Sequence, residues 1–266
     1  MMRRTSTAVA LVAFFALAGC GSEPESSGSD TSATTANLLD SRVDPGLGTG
    51  ASVPMIGNTG GMSQGALGAP TGRPQQQIDI QDLGYNSGDA DALVRIVEFS
   101  DFGCGYCRQF HMESYPVLEA EYMNTGKVEW KYIPIVIGLF KNALPAAEAG
   151  ECAGEQGMFP VMRDRLFESQ PEWKDSDDPV PFMYKYAEEE GLDMTRYRNC
   201  VEQGWQRERI LASNQLAEQA AVRGTPTFYV VGYAPIPGAL PLETFKQVLD
   251  TVYAEASAAQ AAGGGE

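Results

Sequence analysis

The run Ala92–Phe99 (ALVRIVEF) is apolar almost throughout, and a pair of cysteines follows it after only four residues. An apolar run of strand length reads as a β-strand buried on both faces. Ser100-Asp101-Phe102-Gly103 makes a short turn. From Cys104 to about Asn124 the period changes, with Phe110, Tyr115, Leu118 and Tyr122 recurring at helical spacing. Cys104-Gly105-Tyr106-Cys107 therefore stands where a central strand hands over to a helix. A strand buried on both faces needs layers on both sides, which points to an α/β architecture.

The rest of the chain supplies those layers. Val128–Pro134 (VEWKYIP) predicts a second strand, Thr227–Val231 (TFYVV) a third, and Ile236 a short fourth. Residues 141–222 are largely helical in pattern, broken near Gly157, Pro171, Pro179 and Gly191. Residues 242–254 read as a closing helix. The order is β-α-β, a helical block, then β-β-α: a sheet interrupted by an inserted helical subdomain. The folded domain spans residues 78–257, enough for one sizeable core. Residues 258–266 are small and Gly-rich and are expected to form a flexible tail.

The N-terminal third has a different character. Arg3 and Arg4 precede an apolar run, Ala8–Ala18, of 11 residues, too short to span a bilayer and suited to an export signal over residues 1–19. It ends Leu17-Ala18-Gly19-Cys20, which resembles the lipobox of bacterial lipoproteins. That resemblance implies lipidation at Cys20 and a lipid anchor to the cell envelope; ordinary cleavage after the small residues is the alternative. Residues 20–77 lack aromatic side chains and are rich in Gly, Ser, Thr, Pro and Ala. Such a segment buries too little apolar surface to offset its ordering entropy and is expected to be a disordered tether. About 57 residues of flexible chain have an r.m.s. reach of about 40 Å.

Charge and histidine count exclude some chemistry. With 19 Lys+Arg against 35 Asp+Glu, the net charge is −16, which disfavours nucleic-acid backbone binding. The single histidine, His111, leaves no basis for a His-rich zinc site, and no metal is expected.

Two cysteines at a helix start have a clear chemical use. Unpaired amides and the positive end of the helix dipole stabilise a thiolate there. The thiolate is the species that attacks, and a low pKa makes it a good leaving group. Cys104 is thus expected to be the exposed attacking thiol and Cys107, one turn inward, the resolving one. Haem attachment would need a histidine where Arg108 stands, and a zinc site would need a second Cys pair. His111 lies seven residues beyond Cys104, about 10 Å along a helix, too far to activate it. It is read as a plain helix residue. If Cys20 carries lipid, four cysteines remain, which permit three pairings; with Cys104 paired to Cys107 as a redox disulfide, Cys152 and Cys200 are left as a structural disulfide across the helical block. Two free buried thiols are the alternative. Trp130, Tyr132, Phe159, Phe167 and Phe228 are read as core.

Asp101-Phe102-Gly103-Cys104-Gly105-Tyr106-Cys107 after IVEFS, and Gly224-Thr225-Pro226-Thr227-Phe228 near the C-terminus, together resemble the DsbA-like branch of the thioredoxin superfamily. The resemblance covers about residues 82–255. It implies a thioredoxin-like fold with an inserted helical subdomain and no cofactor. Pro226 would be a cis-proline packed beside the cysteines, leaving the Thr225 backbone to pair with an extended substrate. Glu98, six residues before Cys104, matches the family's buried acid. A buried carboxylate there could exchange a proton with Cys107; a structural pairing with Lys131 is the alternative. The implied function is an extracytoplasmic thiol–disulfide oxidoreductase acting on exported proteins, with a membrane redox partner, in the oxidase direction. Reductase or isomerase activity, or a non-catalytic interaction lipoprotein, are the rivals. The tyrosine between the cysteines, where the family's strong oxidants often carry histidine, leaves the direction open.

Overall fold

The computed structural model describes residues 82–263. The segments read as export signal, lipidation site Cys20 and tether lie outside the described residues.

Five strands form one mixed sheet: β1 (Tyr85–Gly88), β2 (Val94–Ser100), β3 (Val128–Pro134), β4 (Thr227–Val230) and β5 (Ile236–Pro237), in the order β1-β3-β2-β4-β5. Central β2 runs parallel to β3 and antiparallel to β4. The parallel β2–β3 pair is joined by the helix that carries the cysteines, as a parallel connection requires a crossover. Strand β1, antiparallel to β3 at the edge, is an addition to the sequence reading. Its sequence, YNSG, holds no β-branched residue and no alternation, so it becomes a strand only because β3 offers it an edge.

The register fixes which residues share a face. Glu98 pairs laterally with Tyr132 and Phe228, and Ile96 with Trp130 and Val230. That face is covered by Phe110, Tyr115 and Leu118 from the cysteine helix and by Phe245, Val248 and Leu249 from the closing helix. Phe99, Ile133 and Tyr229 face the other way, against Leu216 and Ala217.

The cysteine helix is not uniform. Helix α1 (Gly105–Gln109) continues into a π-helical segment, Phe110–Ser114, then α2 (Tyr115–Leu118) and a second π segment, Glu119–Met123. Pro116 follows the first wide turn; it has no N–H, and its ring would collide with the carbonyl four residues back. The Tyr115 amide accordingly donates five residues back, to Phe110 O.

Helices α3 (Ala143–Gly154), α4 (Phe159–Glu168), α5 (Gln170–Trp173), α6 (Val180–Glu189), α7 (Met194–Glu202) and α8 (Arg207–Gln219) form the insertion. Its core packs Phe159, Met162, Leu166, Phe167, Trp173, Tyr186 and Tyr197 against Tyr132 of the sheet. A disulfide joins Cys152 of α3 to Cys200 of α7, with Cα atoms 5.8 Å apart. Helix α9 (Leu242–Gly263) closes the domain. It runs through residues 258–263, which the sequence reading had as a flexible tail. The alanines from Ala254 to Ala262 explain the difference, since alanine has the highest helix propensity. Among the described residues, no helix is long and apolar enough to cross a membrane.

Candidate active site

The C-terminal end of β2 carries the site. The turn after it is shaped by Asp101, whose carboxylate accepts from Gly103 N at 2.8 Å and from Ile137 N at 3.1 Å. One side chain thus folds the turn and ties it to the loop after β3. Gly103 is there because that loop comes close: a Cβ at this position would collide with the Phe140 side chain. From the insertion, Gln170 Nε2 donates to Phe102 O at 2.6 Å and to Cys104 O at 2.9 Å. Arg108 Nε donates to Phe167 O at 2.9 Å. The turn is therefore clamped by both the sheet and the insertion.

Cys104 occupies the N-cap of α1, and its Sγ accepts from Cys107 N at 3.4 Å. The Cys104 Sγ–H also donates to Thr225 O at 3.3 Å. Thr225–Pro226 is a cis peptide bond. Cys104 and Cys107 are both present as thiols. The expectation that Cys104 is exposed needs correction: it is only 3% exposed, because the Thr225–Pro226 turn lies over its sulfur. What the motif shows to solvent is Tyr106, 69% exposed.

The two thiols are set far apart electrically. Cys104 is lowered to about 6, first by a hydrogen bond from the Cys107 thiol, then by the Thr225 hydroxyl and the amides of Cys107 and Tyr106; its own burial opposes this. Cys107 is pushed well above its ordinary value, by burial first and then by Cys104, as hydrogen-bond partner and as charge. Asp101 is pushed up to about 6, chiefly by burial and with a smaller push from Cys104, against the pull of its two amide donors. The arrangement stabilises one thiolate at the helix start, under the Thr225–Pro226 turn, and keeps the second thiol protonated.

Beneath the cysteines, Glu98 is fully buried. Its Oε1 lies 2.8 Å from His111 Nε2, and its Oε2 accepts from Trp130 Nε1 at 2.9 Å. Lys131 is not its partner: Lys131 pairs laterally with Val97, so it emerges on the opposite face, and its Nζ donates to Leu83 O. The reading of His111 as a plain helix residue also fails. It is buried, in hydrogen-bond contact with Glu98 and stacked on Phe167 with ring centroids 4.6 Å apart. Trp130, read as core alone, is in addition a hydrogen-bond donor to Glu98.

The structure thus brings Cys104, Cys107, Thr225 and Pro226 together at the sheet end, with Glu98 below them. Cys152 and Cys200 lie apart, in the insertion. Sequence reasoning missed Asp101 and Gln170. For Asp101 the signal was available: a carboxylate in the turn between two apolar elements must find donors. Gln170 had none, since its partners are 66 and 68 residues away in sequence.

A dithiol held at the start of a helix, against a cis-proline turn on a four-strand core with an edge strand and a helical insertion, defines a thioredoxin-type site. The thioredoxin family model matches residues 83–251, and the chain belongs to that family. In sequence it is similar to the Na(+)/H(+) antiporter NhaA 3 of Salinispora tropica, at 34% identity over 167 residues, covering 62% of this chain and 24% of that protein. It thus spans about a quarter of the length of the two antiporters it matches. It is also similar to the probable disulfide bond formation protein D of Bacillus anthracis, at 27% identity over 61% of this chain and 75% of that one. In fold it resembles Wolbachia pipientis alpha-DsbA1, with a TM-score of 0.60 at 21% identity, over 66% of this chain and 93% of the other.

Proposed function

We propose that the protein is a thiol–disulfide oxidoreductase that exchanges disulfides with exported proteins outside the cytoplasm, held at the membrane by lipid on Cys20. The observation that carries this reading is the electrical asymmetry of one dithiol: Cys104 lowered to about 6, and Cys107 raised well above its ordinary value. In the oxidising direction a substrate thiolate attacks the Cys104 sulfur of the Cys104–Cys107 disulfide. Cys107 leaves, and the substrate's second thiol then displaces Cys104, which leaves readily as a stabilised thiolate. A membrane redox partner would restore the disulfide. Thr225 O, which holds Cys104 in the dithiol form, and the Pro226 turn supply the edge along which an extended substrate segment docks.

The low Cys104 value favours the oxidase direction. Stabilising the thiolate stabilises the reduced protein, and a stabilised reduced form makes the disulfide a stronger oxidant. Glu98, paired as it is, supports the dithiol from below. The Cys152–Cys200 bond has a structural role in the insertion.

The test is the purified domain with a reduced, unfolded client of two cysteines, compared with its Cys104→Ala variant. Stoichiometric client oxidation by the disulfide form, lost in the variant, is the expected result. A reduction potential as low as that of thioredoxin, with ready insulin reduction, would overturn the oxidase direction. Exchange unaffected by Cys104→Ala would overturn the enzyme reading in favour of a non-catalytic interaction protein.

A further inference from the structure

Two features leave the active-site turn weakly determined by its own sequence. Gly103 carries no side chain, as the close approach of Phe140 requires, and glycine gives up more conformational freedom on folding than any other residue. Cys104, next to it, must stay out of the helix it starts. Its φ of −76° and ψ of 125° are extended, the N-cap conformation, and from there its side chain accepts from Cys107 N. Turning ψ to the helical value would add Cys104 to α1 and carry the sulfur away from that amide.

A side chain from outside the turn holds both residues. A peptide unit is planar, so a carbonyl that is held also fixes the N–H on its other side. Gln170 Nε2 uses both its hydrogens, donating to Phe102 O at 2.6 Å and to Cys104 O at 2.9 Å. These carbonyls belong to the two peptide units that flank the pair Gly103–Cys104. The unit between them is held by Cys104 N, which donates to Asp101 O at 3.0 Å. The first unit is gripped again through Gly103 N on Asp101 Oδ1, and the last through Arg108 N on Cys104 O at 3.1 Å. With all three planes held, the backbone torsions of Gly103 and Cys104 are set. Asp101 and Arg108 belong to the turn and its helix and move with them; Gln170 ties the planes to a separate element.

That element is itself fixed. Helix α5 is four residues long, too short to hold its shape unaided. Asn142 Nδ2 serves the carbonyls at its end, of Trp173 at 2.9 Å, Lys174 at 3.0 Å and Ser176 at 2.8 Å. Trp173, fully buried, donates from Nε1 to Leu166 O at 2.9 Å. Asn142 comes from the loop that also carries Ile137 and Phe140. The contacts close a ring: turn to loop through Asp101 and Ile137 N, loop to α5 through Asn142, and α5 back to the turn through Gln170.

We propose that Gln170 is a positioning residue for thiol exchange, holding Cys104 in the extended conformation that keeps its sulfur on the Cys107 amide. This rests on the exchange reading and adds what sets the reactivity of its nucleophile. In the reduced protein the grip favours the Cys104 thiolate. In the disulfide the same sulfur carries no charge, so the amide stabilises it less. Losing Gln170 therefore weakens the dithiol form more than the disulfide, and makes the disulfide the weaker oxidant.

The test compares the wild-type protein with Gln170→Ala and with Gln170→Met, which keeps a side chain of similar length and removes its hydrogen bonds. Each protein is equilibrated with reduced and oxidised glutathione at pH 8, and alkylation of Cys104 by iodoacetamide is followed against pH. In both variants the equilibrium is expected to shift about tenfold toward the protein disulfide, and the alkylation midpoint to rise by about one pH unit. A residue that only stabilised the fold would lower the unfolding midpoint of both redox forms and move neither quantity. Unchanged values in a variant that folds overturn the positioning role. If neither variant folds, side-chain amide NMR of the reduced wild-type protein answers instead. The Gln170 resonance is expected to shift through the Cys104 midpoint, and a resonance constant over that range overturns the role. A wild-type Cys104–Cys107 pair that does not equilibrate with glutathione overturns the exchange reading on which the role rests.

Discussion

Gln170 donates to the carbonyl oxygen of Cys104 at 2.9 Å and, with the same nitrogen, to that of Phe102 at 2.6 Å. A residue of the helical insertion thereby holds the turn of the sheet on which the thiol chemistry depends. The Cys104 carbonyl also accepts from Arg108 N at 3.1 Å, so it is the buried Phe102 carbonyl that loses its donor with the amide.

Gln170→Ala is therefore expected to destabilise the reduced domain by about 1–3 kcal/mol, the cost of leaving a buried acceptor unpaired. Urea unfolding at fixed pH measures it. A change below about 0.5 kcal/mol would show that the two bonds contribute nothing net.

Reactivity at Cys104 should follow its thiolate fraction. With the thiol lowered to about 6, the rate of alkylation by iodoacetamide is expected to rise with a midpoint near pH 6 and to be nearly flat above pH 7. Mass mapping of the modified peptide should find Cys104 labelled and Cys107 not. A single midpoint above pH 8 would refute the asymmetry.

Asp101 predicts a pH dependence of stability with a definite sign. Its folded value is raised from 3.8 to about 6, so between those limits the folded state holds a proton that the unfolded state has lost. Stability then falls as pH rises through that window, by on the order of 2–3 kcal/mol, and no further from this group above it. Asp101→Asn should flatten that slope. It should also move the Cys104 alkylation midpoint below its wild-type position, since a neighbouring negative charge is removed. Guanidinium unfolding at closely spaced pH values decides the first expectation, and alkylation the second.

The Cys152–Cys200 bond closes a loop with a sequence separation of 48. In the chain-entropy model its removal as Cys152→Ala/Cys200→Ala costs about 4 kcal/mol. Unfolding of the double variant with the Cys104–Cys107 pair kept reduced isolates this effect.

Much of the fold was legible because the pattern switches period at the cysteines. A buried strand, a turn and a helix are three different signals in succession, and the second strand and the C-terminal strands carry the same marks. Strand β1 was illegible because YNSG becomes a strand only through its partner. The extension of α9 was misjudged because alanines were read as small rather than as helix formers. At the site, the Glu98–Lys131 pairing failed on parity: side chains alternate along a strand, and the parallel register puts Lys131 with Val97. His111 was set aside because helix spacing says nothing of Glu98, the strand residue it meets across the sheet face. Gln170 could not have been found, since the contact exists only once the insertion has folded against the turn.

That clamp makes the insertion part of what holds the dithiol in place. Gln170 of α5 holds the turn, and the Phe167 carbonyl of α4 accepts from Arg108 in the helix that follows it. Substitutions anywhere in the packing that seats those two helices shift the turn, and with it the donors around Cys104. A lineage can therefore retune its thiol chemistry while the four residues from Cys104 to Cys107 stay fixed, by letting the helices drift.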